Sequence, residues 1–200
     1  MVQDDNTARK IKESAEKLFT EKGYGRTTTR EIASEAGVNL ALVNYYFRSK
    51  EALFQNIMME TIQGFVGQLL ILLNDHRSFE EKLELVVSNY IDLLIKKPDL
   101  PIFLLSELRN NPEVLAEKLG LHNMFKNASF FKELHQRAPE GMNPIHIFIN
   151  MLSMTVFPFV ARPLINITTG LPEAQFAHIV SERKKLIPMW VLSMLNPIKS

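Results

Sequence analysis

The chain has 200 residues, 46% hydrophobic and 22% charged, with a formal net charge of +1; this is the make-up of a folded chain with a sizeable core and excludes extensive disorder. With so little net charge there is no global basic field, so any nucleic-acid binding has to be built locally. There is no cysteine, which excludes a disulfide framework, thiolate metal sites and a cysteine nucleophile, and the opening "MVQDDNTARK" has no apolar signal segment, so a cytoplasmic location is expected.

Helical spacing dominates the whole chain and strand alternation is almost absent, which predicts an all-α fold of about nine or ten helices. Ala8, Ile11, Ala15, Leu18 and Phe19 form the apolar stripe of a first helix, with Asp5 or Asn6 placed to cap it and Gly23 to end it. Thr28 with Glu31 reads as a capping box at the start of a second helix that buries Ile32, Ala33 and Ala36 and stops at Gly37. Asn39 caps a third helix reaching Phe47. At 100° per residue its Val43, Tyr46 and Phe47 fall on one side, and Ala41, Asn44, Tyr45 and Arg48 share the other. A helix this short is marginal alone and has to be held by its neighbours. Held that way, it is a rigid mount able to push one face into a DNA major groove about 12 Å wide.

Ser49 caps a fourth helix whose stripe, Leu53 to Leu73, is too long for a small headpiece and leads into a second portion. Ser78 and Glu81 repeat the capping box ahead of a fifth helix that "KKPDLP" ends. Further helices are predicted over 101–109, 112–119 and 122–137, with "RAPEGMNP" a loop. An apolar helix from Pro144 is expected to be interrupted near Pro158 and Pro163, and an amphipathic segment from Pro172 to Leu195 to be divided by Pro188. The uncharged run Ile147 to Ala161 falls short of the roughly 20 residues of a membrane span and holds Asn150 and Pro158, so it reads as a buried helix, in the core or at a subunit interface, and no membrane association is expected.

"AEKLFTEKGYGRTT" followed by "TTREIASEAGVNLALVNYYFRSKEALF" resembles the DNA-binding head of the TetR family of bacterial transcriptional regulators. The resemblance covers about the first 55 residues closely and the remainder only in kind. It implies a TetR-type head over 1–52, with the helix-turn-helix at 28–47, and a helical ligand-binding and dimerisation domain over 53–200. Carried over by position, it implies that Thr28, Thr29 and Arg30 meet the phosphate backbone, with an occasional base contact. Asn39, Leu40, Ala41, Asn44 and Tyr45 face the groove. Tyr46 and Lys50 are placed at phosphates. The chemistry agrees: Arg30, Arg48 and Lys50 supply charge, and Asn44 is able to pair with an adenine edge. The chain departs from the family at "NLALVN", which puts no charge in the reading helix, so apolar contact with thymine methyls is expected to carry part of the specificity, towards an A·T-rich operator. Residues 1–55 hold nine Lys or Arg against eight Asp or Glu, so favourable binding depends on arrangement.

The implied partners are a double-stranded DNA operator, a small-molecule effector and a second copy of the chain, paired through the last two long helices. The effector cavity is expected among Phe103, Phe125, Phe130, Phe131, Met142, His146, Asn150, Met151 and Met154, where adaptable methionines and rings beside a few polar groups suit an apolar or aromatic molecule. The five histidines show no metal-binding or catalytic spacing, and no serine sits in a nucleophile elbow, so no metal, cofactor or enzyme activity is expected. A helical adaptor that binds only protein is the competing reading; it has no need of Thr29, Arg30, Asn44, Tyr45 and Lys50 on one surface.

Overall fold

The computed structural model describes residues 2–196, and every regular element among them is helical. The chain divides into two compact units, Met1–Gly64 and Phe65–Ser200.

The first unit holds α1 (Val2–Lys22), a 3-10 turn (Tyr24–Arg26), α2 (Thr29–Glu35), α3 (Leu40–Phe47) and the first part of α4 (Lys50–Leu73). α1 begins earlier than expected, so neither Asp5 nor Asn6 is its cap. Asn6 lies inside the helix and its Oδ1 accepts from Arg9 at 3.0 Å. Gly23 ends the helix at φ +80°, its N–H bonded to the Phe19 carbonyl. Ile11, Ala15, Leu18, Phe19, Ile32, Ala33, Val43 and Leu53 are buried and form the core of this unit. Each large one contributes about 1.5–3 kcal/mol by leaving water, which is what holds two helices too short to persist alone. α4 is long and apolar enough by composition to cross a membrane, yet Glu60 on it pairs with Lys12 of α1 at 2.7 Å.

The second unit adds α5 (Phe79–Lys96), α6 (Leu100–Asn110), α7 (Pro112–Lys118), α8 (Leu121–Asn127), α9 (Ser129–Arg137), α10 (Ile145–Val160), α11 (Arg162–Thr169) and α12 (Glu173–Leu195). The described residues thus form twelve α-helices, more than the nine or ten expected. One difference is the predicted helix 122–137, which breaks at the extended residue Ala128. There the Ser129 N–H donates to Asn74 Oδ1 and its hydroxyl to the Leu73 carbonyl, bonds that an unbroken helix could not make. Buried Lys82 of α5 completes the junction, donating to Ser129 Oγ at 3.1 Å and to Glu133 Oε1 at 3.0 Å.

Two of the prolines behave differently from expectation, whereas Pro163 stands in the first turn of α11, at the interruption expected near it. Pro158 and Pro188 both lie inside continuous helices, and the break comes at Ala161, where α11 departs from α10 at 61°. Pro158 has no N–H to give to the Met154 carbonyl, which would leave that acceptor orphaned. Arg183 of α12 replaces it, with Nε at 3.2 Å and Nη2 at 2.9 Å from the Met154 oxygen and its guanidinium over the Trp190 ring. Partial burial lowers the Arg183 pKa. Lys184 beside it pairs with Asp92, so α12 is tied to both α10 and α5.

Candidate nucleic-acid interface

The start of α2 is fixed by reciprocal hydrogen bonds. Thr28 Oγ1 accepts from the Glu31 N–H at 3.2 Å, and Glu31 Oε2 accepts from the Thr28 N–H at 2.8 Å and from its hydroxyl at 2.9 Å. Lys22 donates to the other Glu31 oxygen at 2.9 Å. The Lys22 bond, then those from the Thr28 amide and hydroxyl, lower the Glu31 pKa from 4.5 to about 2. Beyond α2 the chain reverses at Gly37, whose φ of +65° is the reason for glycine there, since a Cβ would meet nothing within 4 Å.

α3 follows, with Asn39 Oδ1 accepting from the Leu42 N–H at 2.9 Å. That oxygen caps the helix, so any groove contact by Asn39 falls to its NH2 group. Within α3, Val43 is 2% exposed whereas Tyr45 is 74% exposed, with Ala41 and Asn44 also open to solvent. Leu40 and Tyr46 are half-buried, and the Tyr45 and Tyr46 rings meet edge to face at 5.2 Å. The outward face therefore presents a methyl group, an amide and a phenol, and no formal charge.

The α3–α4 junction holds a feature that the spacing of apolar residues does not reveal. Arg48 adopts φ +61° and ψ −45°, and the Ser49 N–H bonds back to the Phe47 carbonyl at 2.6 Å. A hydrogen bond across two residues around such a centre is the rarer, strained form of the γ-turn. Ser49 Oγ then caps α4 by accepting from the Ala52 N–H.

The cations of this unit sort into two groups. Arg9, Lys12, Lys17 and Lys22 are paired with Glu13, Glu60, Glu35 and Glu31, and Arg26 donates to the Lys22 carbonyl. The Glu35 partner raises the Lys17 pKa. By contrast, the exposed Lys10 of α1 and the exposed guanidinium groups of Arg30 and Arg48 make no hydrogen bond or ion pair among the described residues. Near-equal totals of charge therefore conceal an uneven distribution: the acids sit on α1-side lysines, and the arginines of α2 and the α3–α4 junction are left open. Lys50 belongs to neither group, because its ammonium donates to two backbone carbonyls, Tyr24 O and Thr27 O, each at 2.9 Å.

Residues 11–57 match the family model described as "Bacterial regulatory proteins, tetR family". The match lies within the head, which is similar to the DNA-binding heads of the TetR family. The head is also similar to the "Probable HTH-type transcriptional regulator YttP" of Bacillus subtilis, 43% identical over 60 residues, a stretch that covers 30% of this chain and 29% of that one. Over nearly its full length the chain is similar to the biofilm operon icaADBC HTH-type negative transcriptional regulator IcaR of Staphylococcus epidermidis, 24% identical over 190 residues, covering 94% of this chain and 96% of that one. Its fold matches the solved structure of the transcriptional regulator FadR from Bacillus subtilis in complex with stearoyl-CoA, with TM-score 0.63, 19% identity, and 94% and 99% of the two chains covered.

The second unit has an open cleft of about 510 Å³ between α8, α9 and the start of α10. Of the residues expected to form an effector cavity, Phe125, Phe131 and Met142 line it, beside His135, Ile145 and Phe148 that the reading of the sequence missed. The three phenylalanines make a ring cluster with centroids 4.5–5.5 Å apart. The others are dispersed. Phe103, Phe130 and Met151 are buried in the core, Met154 is half-buried, and His146 and Asn150 are exposed, Asn150 reaching Met194 Sδ. No cluster of three or more potential metal ligands occurs among the described residues.

Proposed function

We propose that this chain is a sequence-specific DNA-binding regulator, a repressor rather than an enzyme, released from its operator by a small molecule and acting in the cytoplasm as a homodimer. The observation that carries the reading is the outward face of α3: Ala41, Asn44 and Tyr45 stand in solvent on a helix whose other side is buried, in a unit where Arg30 and Arg48 have no partner among the described residues. Thr28, Thr29, Arg30, Tyr46 and Arg48 bind phosphates, which sets the register. Asn39, Leu40, Ala41, Asn44 and Tyr45 read bases: Asn44 at an adenine edge, Leu40 and Ala41 at thymine methyls, which favours an A·T-rich half-site.

A protein adaptor has no reason to leave these arginines unpaired beside an uncharged helix face. Dimerisation through α10 and α12 is supported by exposed apolar side chains on both, Ile149 at 50% and Phe157 at 65% on α10 and Met189 at 56% on α12. The two reading helices then have to lie about 34–36 Å apart to reach successive grooves. The effector carries an apolar chain or ring that suits the phenylalanine-lined cleft. Long-chain acyl-CoA thioesters, the ligand class held by the B. subtilis FadR structure, are the first to test. Its binding shifts the population of dimers away from the DNA-competent spacing, with the uninterrupted helix α4 as the connecting element.

The test is selection of duplexes from a random pool by the full-length protein, followed by titration at several salt concentrations. The reading expects a palindromic, A·T-rich site and a steep loss of affinity with salt. In the Arg30→Ala, Tyr45→Ala double variant, specific binding should fall by about a hundredfold or more. An absence of sequence preference, or equal binding by the double variant, rejects it.

A further inference from the structure

Lys50 is the first residue of α4 and stands where the family resemblance puts a phosphate contact. It is half-buried, its ammonium 2.9 Å from the carbonyl oxygens of Tyr24 and Thr27 and 4.2 Å from the centroid of the Tyr24 ring. Two of the three N–H donors of a lysine are taken up by those carbonyls. Reaching for a phosphate means giving up two charge-assisted hydrogen bonds and a cation–π contact, so the side chain lacks the freedom that makes an ordinary surface lysine a phosphate ligand.

The segment that Lys50 holds leads directly into α2. Its other polar ties run to α1 and its end: Arg26 Nε donates to the Lys22 carbonyl at 2.7 Å, and the buried Thr27 hydroxyl shares its one proton between the Gly23 and Leu18 carbonyls at 3.0 and 3.3 Å. Lys22 holds Glu31, which holds Thr28. The Phe54 ring lies against Tyr24 and Phe19, so the lysine stands over a packed aromatic cluster.

We infer that Lys50 is a positioning residue that fixes the start of α2, and with it Thr29 and Arg30, to the first turn of α4, and that it does not bind a phosphate. This rests on the DNA-binding reading above and adds a route for regulation: a shift of the first turn of α4 is passed through one ammonium to two carbonyls and on to the phosphate-binding start of α2.

Full-length protein and the duplex it selects provide the test, with Lys50→Met, which keeps the stem and removes the charge. Operator affinity should fall by about tenfold, in line with the loss of charged hydrogen bonds, while the slope of log affinity against log salt stays at the wild-type value. In an Arg30→Ala background the same change should cost less than about threefold, since both act through one helix start. Without DNA, amide exchange across residues 24–31 should quicken while that of Val43 holds. A slope shallower by about two per dimer, with effects that multiply independently of Arg30, overturns the inference, as does unchanged exchange at 24–31. If Lys50→Met does not fold, Lys50→Arg decides, since it keeps the charge and alters the reach to the two carbonyls. Positioning expects weaker operator binding at an unchanged salt slope, and a phosphate role expects binding equal to wild type. Should the wild type select no duplex, the DNA-binding reading fails on its own, and the exchange data alone judge the tie.

Discussion

Replacing Arg48 by glycine should stabilise the head, even though glycine ordinarily weakens a folded chain. Arg48 sits at φ +61°, ψ −45°, a conformation costing an L-residue about 1–3 kcal/mol. Glycine removes that strain but has more freedom to lose on folding, about 0.5–1 kcal/mol. The net expectation is a gain of about 1 kcal/mol over Arg48→Ala, which makes the same charge change and keeps the Cβ. The comparison with alanine is essential, because a difference from wild type alone would mix strain with charge. Native-state hydrogen exchange on the full-length protein, read at the amides of Val43 and Ile32, gives the opening free energy of the head directly. In Arg48→Gly these amides should exchange about fivefold more slowly than in Arg48→Ala. Both variants lose the same cation, so both should bind DNA with a salt slope lower by about 0.9 for each subunit. Exchange in the glycine variant equal to or faster than in the alanine variant refutes the strained turn.

The Glu31 carboxyl, with a pKa lowered from 4.5 to about 2, contributes stability that is present above about pH 4.5 and is lost as the pH falls towards about 2. Glu31→Gln should therefore flatten the acid dependence of α2 amide exchange in that window and change it little at neutral pH beyond a constant offset. Arg183→Met leaves the Met154 carbonyl without a donor opposite Pro158, so denaturation of the second unit, followed by Trp190 fluorescence, should show a loss of about 1–3 kcal/mol. Tyr45→Ala, fully surface in the free protein, should leave stability within about 0.5 kcal/mol of wild type while reducing affinity for the selected duplex by about tenfold or more; filter binding and thermal melting together check the pair.

What could be read from residue order alone was local. Capping boxes at Thr28/Glu31 and Ser78/Glu81 and the Asn39 cap each depend on residues three apart, and all appear at the positions where they were expected. The orientation of α3 followed from helical periodicity, which puts Val43 opposite Tyr45 whatever the tertiary partner. The rest depended on partners distant in the chain. Pro158 looked like a helix breaker because Arg183, which satisfies the orphaned carbonyl, lies 29 residues on. The break at Ala128 is enforced by Asn74 and Leu73, on the far side of α5 in the chain. Lys50 looked like a free cation because nothing in "SKEALF" shows that the Tyr24 and Thr27 carbonyls lie within reach. The cleft residues His135 of α9 and Ile145 and Phe148 of α10 acquire a common wall only once the two helices are folded together. Arg48 carried no signal, since arginine has no preference for a left-handed backbone that would distinguish it from its neighbours.

The account depends above all on the outer face of α3 entering DNA. Hydrogen exchange of the full-length protein, with and without its selected duplex, tests that most directly. The expected result is slowed exchange over residues 28–31 and 39–48, with the outer helices of the second unit unchanged. Protection that bypasses 39–48 while the duplex is demonstrably bound contradicts it.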